Sequence, residues 1–247
     1  WRAVDVGVAA ITDGIYAGQH ALEFLSKKNT SFQSYSNGFQ YLREGGAAFW
    51  RGPNDSAFQK QGLWRAIYRW VGKTGAATPS FGHGFADLMW PAEGTGSGNL
   101  GWPKNGEPDV QEVYPTNTNK FGGESNWHLD TVTSSSRATK QPPSASTLSQ
   151  YPNLFQGVPP ADVTRGNYGV DYTQWHTFDY LQVTGQYYEV YIDGVSRGRV
   201  RYTASNPAPY VIYNAISLPM RRTFQIEHYG TADSAAAAGT FALQVKE

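Results

Sequence analysis

The chain of 247 residues contains no cysteine, so disulfide frameworks, zinc-thiolate sites and cysteine nucleophiles are all excluded. It has no charge bias either: 20 basic and 20 acidic residues give a formal net charge of zero, and no run of Lys or Arg interrupts the balance. That excludes the basic footprint of a nucleic-acid binder and of a protein seated on an anionic membrane surface. No apolar run approaches the length of a membrane span, and neither His-Glu-x-x-His nor any other paired-histidine spacing occurs, so no catalytic metal site is expected. Long segments of 3.6-residue period are missing, as are internal repeats and any linker between two periodic halves. Residues 1–247 are therefore expected to form a single domain, and the start at Trp1 is what a trimmed or mature chain would show.

Short β-branched and aromatic runs are abundant instead, separated by clusters of Gly, Pro, Asn and Asp, and this argues for an all-β, two-sheet antiparallel sandwich. Predicted strands are 39–42, 47–51, 63–70, 83–89, 110–114, 126–133, 176–183, 187–192, 195–202, 210–216, 223–229 and 241–245. Asp193-Gly194 between Ile192 and Val195 is the clearest hairpin signal, since a two-residue turn needs positive φ there. Ser234 before four alanines is read as a helical turn too short to stand alone. Two long segments, the glycine-rich 93–106 and the proline-rich 134–166, are expected to wall a cleft. Aromatics make up 15% of the chain, with 8 Trp and 16 Tyr, at a mean hydropathy of -0.50. Most of these rings serve strand packing, and some suit stacking on sugar faces.

The densest chemistry lies in Glu107-Pro108-Asp109-Val110-Gln111-Glu112, three carboxylates in six residues. On a regular strand Glu107 and Asp109 share a face while Glu112, an odd number of residues away, points to the other. One inserted residue, a β-bulge between Asp109 and Glu112, returns Glu112 to their face. Two carboxyl groups about 5 to 5.5 Å apart are what a retaining glycosidase uses, one as nucleophile and the other as proton donor. The competing reading is that three acids near a turn simply solvate an exposed strand. Pro108 removes a backbone donor from this stretch, which is tolerated best where the strand is already irregular.

The order Gly-Glu-x-Asp-x-x-Glu after Trp102-Pro103 resembles the signature of glycoside hydrolase family 16, the laminarinase, lichenase and galactanase-like enzymes with a concanavalin A-like jelly roll. Residues 62–69, 84–91, 175–180 and 187–194 resemble further strands of that family, so the resemblance covers roughly residues 60–230. It implies a secreted, retaining, endo-acting hydrolase of a β-linked polysaccharide, either β-1,3-glucan, mixed-linkage glucan or galactan. Glu107 would be the nucleophile, Glu112 the acid/base, and Asp109 the support of the nucleophile, with like charges this close resisting simultaneous ionisation. His128 stands where the family has a cleft histidine. Trp90, Trp102 and Trp127 are the candidate sugar platforms, whereas Trp64 and Trp175 are assigned to the core, His176 to buttressing and Arg65 and Arg69 to no role. No cofactor is required. A structural calcium is frequent in the resembling family, although no calcium-loop pattern is visible here. The expected partner is a neutral polysaccharide, and the chain is expected to be monomeric. Two alternatives keep the fold and change the function: a lectin, for which stacked aromatics suffice, and a polysaccharide lyase acting on uronic-acid polymers through Tyr, His and Arg.

Overall fold

The computed structural model describes residues 2–4, 11–16, 19–34, 40–44, 47–49, 59–74, 84–91, 107–113, 123–128, 130–131, 149, 155–156, 170–201, 210–211, 219–227 and 240–246. Among these, the strands in chain order are β1 (Arg2–Val4), β2 (Ile11–Tyr16), β3 (Gln19–Ser34), β4 (Gln40–Glu44), β5 (Ala47–Phe49), β6 (Gly62–Thr74), β7 (Gly84–Pro91), β8 (Glu107–Val113) and β9 (Gly123–His128). They continue with β10 (Asp130–Thr131), β11 (Phe155–Gln156), β12 (His176–Val183), β13 (Tyr187–Ile192), β14 (Val195–Arg201), β15 (Tyr210–Val211), β16 (Met220–Glu227) and β17 (Thr240–Val245).

The strands form two antiparallel sheets plus a short β10–β15 pair. The smaller sheet runs β1-β5-β16-β7-β8-β9, and the larger runs β11-β14-β13-β12-β6-β17-β3-β2 with β4 paired to β3. The expected all-β sandwich is the observed one, and β12 and β13 have the predicted bounds. Four strands were not predicted: β1, β2, β3 and β11. The longest, β3, runs through Ser26-Lys27-Lys28-Asn29-Thr30, a polar stretch with no two-residue alternation to read; ladders to β2, β17 and β4 along its length define it as a strand. The predicted helical turn at 234–238 and the segment 93–106 lie outside the described residues, as does 134–166 apart from residues 149 and 155–156.

Alternation puts one face of each sheet into a shared core. Tyr68 and Trp70 of β6, Phe178 and Tyr180 of β12, and Tyr188 and Val190 of β13 meet Phe85 and Met89 of β7 and Phe224 of β16 there. Tyr68 stacks on Phe178 at 3.9 Å between centroids and takes the edges of Phe85 and Phe224 from the opposite sheet. Through this apolar layer passes an ion pair. Arg222 of β16 forks onto both carboxylate oxygens of Asp87 on β7, and its remaining nitrogen donates to the carbonyls of Trp64 and Phe178 in the larger sheet at 2.9 and 3.0 Å. Both charges are buried, so the pair is tolerable only because its donors are so fully used.

The expected hairpin is present. Asp193 and Gly194 have φ of 51° and 77°, the positive pair that a two-residue turn matching strand twist demands. The Asp193 carboxylate accepts from the Thr177 amide at 2.9 Å and meets Nδ1 of His176 at 2.6 Å, while Nε2 of His176 lies 2.9 Å from the Asp171 carbonyl. His176 thus clamps the β13–β14 turn to the segment entering β12, the buttressing role read from the sequence. On the outer face of the larger sheet Arg65 pairs with Asp179 through two 2.9 Å bonds. Trp175, expected in the core, is instead half-buried, with the cations of Arg69 and Lys246 each 4.7 Å from its ring centroid.

Candidate active site

The carboxylate stretch is β8, flanked by β7 on one side and β9 on the other. Its ladder to β7 pairs Gln111 with Asp87 and then Asp109 with Leu88, so β8 spends one more residue than β7 at this step. Its ladder to β9 pairs Glu112 with Glu124 and then Asp109 with Asn126, again with one residue too many on β8. Both neighbours therefore record the same bulge, between Asp109 and Glu112, where the spacing of the acids requires it.

Registers on either side show what the bulge achieves. Glu107, Asp109 and Glu112 stand opposite His128, Asn126 and Glu124, and residues two apart on β9 share a face. Toward β7, Asp109 and Glu112 stand opposite Leu88 and Ala86, the face that does not carry core residues Phe85 and Met89. All three carboxylate positions thus belong to the outer face of the smaller sheet. Continued across β16, the row of Leu88 includes Thr223, and Trp90 stands opposite Arg221. Asp109 is 1% exposed and Glu112 5%, although they sit on the face away from the core. Pro108 is buried on the other face, paired with Trp127 only, because described pairing to β7 stops at Asp109. Its missing N–H is accommodated where one ladder has ended.

The extra residue at the bulge puts Val110 and Gln111 both on the core side. Val110 belongs to the hydrophobic core, and Gln111, fully buried, takes a hydrogen bond from the hydroxyl of core residue Tyr172 on its side-chain oxygen. The Gln111 amide nitrogen donates to the Val110 carbonyl at 2.5 Å. Beneath this layer Tyr188 of β13 is held well above the ordinary tyrosine value of 10.0, chiefly by burial and then by the charges of Tyr180 and Asp109.

Of the expected site residues, Glu107, Asp109, Glu112 and His128 share a face by register, and Trp90, half-buried, shares it through β7. Trp127 does not: as the neighbour of His128 on one strand, it occupies the opposite face. Trp102 lies outside the described residues. Three residues went unread in the sequence. Glu124 faces Glu112 directly across the β8–β9 ladder, and two-residue alternation back from His128 is the signal that would have found it. Gln111 and Tyr172 are joined across 61 residues, a pairing without a local signature. Among the described residues no cluster of three or more His, Asp or Glu is placed to hold a metal ion.

No protein-family profile and no curated protein sequence matches the chain. Solved structures do. The laminarinase catalytic domain from Thermotoga maritima superposes with a TM-score of 0.55 at 15% identity, covering 95% of this chain and 77% of that one. The kappa-carrageenase from Pseudoalteromonas carrageenovora does so with 0.51 at 15% identity, covering 95% and 80%. SCLam, a non-specific endo-β-1,3(4)-glucanase from glycoside hydrolase family 16, gives 0.51 at 15% identity, covering 92% and 69%. Identities this low speak of architecture, not of substrate. The chain has the jelly-roll sandwich fold found in family 16 glycoside hydrolases, with its own bulged carboxylate strand in the smaller sheet.

Proposed function

We propose that the protein is a retaining, endo-acting glycoside hydrolase that cleaves a β-linked polysaccharide, a β-1,3-glucan, mixed-linkage glucan or galactan. The observation that carries this reading is the bulge registered on both ladders of β8, which gathers Glu107, Asp109 and Glu112 on one face. A strand that only needed solvating charge would have no use for it.

In this scheme Glu107, ionised, attacks the anomeric carbon as Glu112 gives its proton to the departing glycosidic oxygen. The C–O bond to the leaving sugar breaks and a glycosyl ester to Glu107 forms. Glu112, now a carboxylate, takes a proton from water, and the water oxygen displaces Glu107 with a second inversion, so configuration is retained. Asp109, between the two on the same face, supports the nucleophile. Trp90 and His128 contact sugar beside the reacting bond, and Trp102 is a further platform, whereas Trp127 belongs to the packing face. The neutral charge balance suits an uncharged polymer. Secretion and a monomeric single domain complete the reading.

Release of reducing ends from a panel of β-glucans, galactans and uronic-acid polymers tests it, with Glu107→Gln as control. Activity on one neutral polymer that vanishes in the variant is expected. Activity that survives Glu107→Gln would refute the assignment.

A further inference from the structure

We propose that Gln111 and Tyr172 form a positioning pair that fixes the bulge of β8 and so sets where Glu112 stands relative to Asp109. A bulge interrupts the regular ladder, and a side-chain donor at the interruption can fix the backbone there. Here the side chain of the next residue is one such donor: the Gln111 amide nitrogen lies 2.5 Å from the Val110 oxygen. A fully buried glutamine is costly beside Phe85, Met89 and Val113 unless both ends of its amide are satisfied. Tyr172 satisfies the other end, its hydroxyl donating to the Gln111 side-chain oxygen.

Tyr172 is itself fixed. Its carbonyl accepts from the Trp70 amide at 2.7 Å, and its ring stacks toward Phe178 and meets Phe85 edge-on. The larger sheet thereby reaches through the core and holds the bulge from behind, while the carboxylates stand on the other side of the same strand. An apolar residue of similar size at position 111 would fill the volume equally well but would leave the Val110 carbonyl without this donor. A slip of one residue along β8 would turn Glu112 to the wrong face. Neither member touches substrate in this arrangement; both act through the backbone of β8. The catalytic consequence rests on the glycosidase reading, whereas the hydrogen-bonded pair itself does not.

The test uses Gln111→Met, Tyr172→Phe and the double variant, each measured for kcat, KM and thermal midpoint on the polymer the unmodified protein cleaves. Because small displacements of reacting groups are costly, each single variant is expected to lose about 10²-fold in kcat with KM nearly unchanged, and the double variant to be no worse than the poorer single. A merely structural role would lower the midpoint and leave the kcat of folded protein untouched. Unaltered kcat in both singles, or losses that multiply in the double, would overturn the inference. Should Gln111→Met fail to fold, Tyr172→Phe retains the packing and carries the same comparison. If the unmodified protein cleaves no polymer, that counts against the glycosidase reading alone. The pair is then judged by hydrogen exchange of the Gln111 side-chain amide, observed by NMR: slow in the unmodified protein and faster in Tyr172→Phe supports it, and equal rates in the two overturn it.

Discussion

At the scale of single residues, the chemistry depends on side chains whose positions follow from alternation plus one exception. Alternation alone assigns Glu107 and Asp109 to one face, and the pattern of the acids implies the bulge that both ladders of β8 show. The same rule, applied to Trp127 and His128, forbids both from sharing the face of the carboxylates, so the position of Trp127 was legible and its candidacy as a platform conflicted with its neighbour's. Tyr172 was not legible, because its role exists only once Gln111 is folded against it. Glu112→Gln removes the proposed proton donor and is expected to lower kcat by about 10² to 10⁴-fold, with fold and melting intact by circular dichroism. Asp87 offers a contrast far from the chemistry. Asp87→Ala leaves the Arg222 guanidinium buried without its counter-charge and is expected to destabilise the fold by about 3–5 kcal/mol, read by denaturant unfolding. Replacing both partners by apolar residues of similar volume is expected to restore much of that loss.

At the scale of elements, strands dense in aromatic and branched apolar residues were readable and polar ones were not. His176–Val183 and Tyr187–Ile192 are rich in aromatic and branched apolar side chains, and the second ends at a dipeptide built for a tight turn. By contrast β3 is sixteen residues long and carries little pattern, since pairing with β2, β4 and β17 defines it. The β13–β14 turn concentrates several local signals at Asp193 and Gly194. Gly194 has φ of 77° and open space where a methyl group would stand, so Gly194→Ala costs backbone strain and not a clash. A loss of about 1 kcal/mol in unfolding free energy is expected, and Asp193→Ala, which removes the acceptor of the Thr177 amide and the partner of His176, is expected to cost at least as much.

At the scale of the whole molecule, two sheets enclose an aromatic core in which several hydroxyls are buried. Tyr68, Tyr180 and Tyr188 are all raised well above the ordinary value of 10.0, in each case first by burial. In the unfolded chain these groups lose their protons near pH 10, whereas in the fold they keep them. Above that pH the unfolded state binds fewer protons than the native one, so stability falls as pH rises. Thermal midpoints are expected to be insensitive to these tyrosines below about pH 9 and to drop progressively above about pH 10. Tyr188→Phe, which removes one such group, is expected to make that drop shallower. Fold class was readable from the sequence because sandwich formation needs only many short strands broken by turn residues.

The alignment of Glu107 and Glu112 on one face is tested most directly by following the anomeric protons by NMR while the cleaved polymer is hydrolysed. Retention through a glycosyl ester on Glu107 makes the β-anomer the first reducing end to appear, with the α-anomer following by mutarotation. An α-anomer formed first, or a product carrying a new double bond, would contradict it.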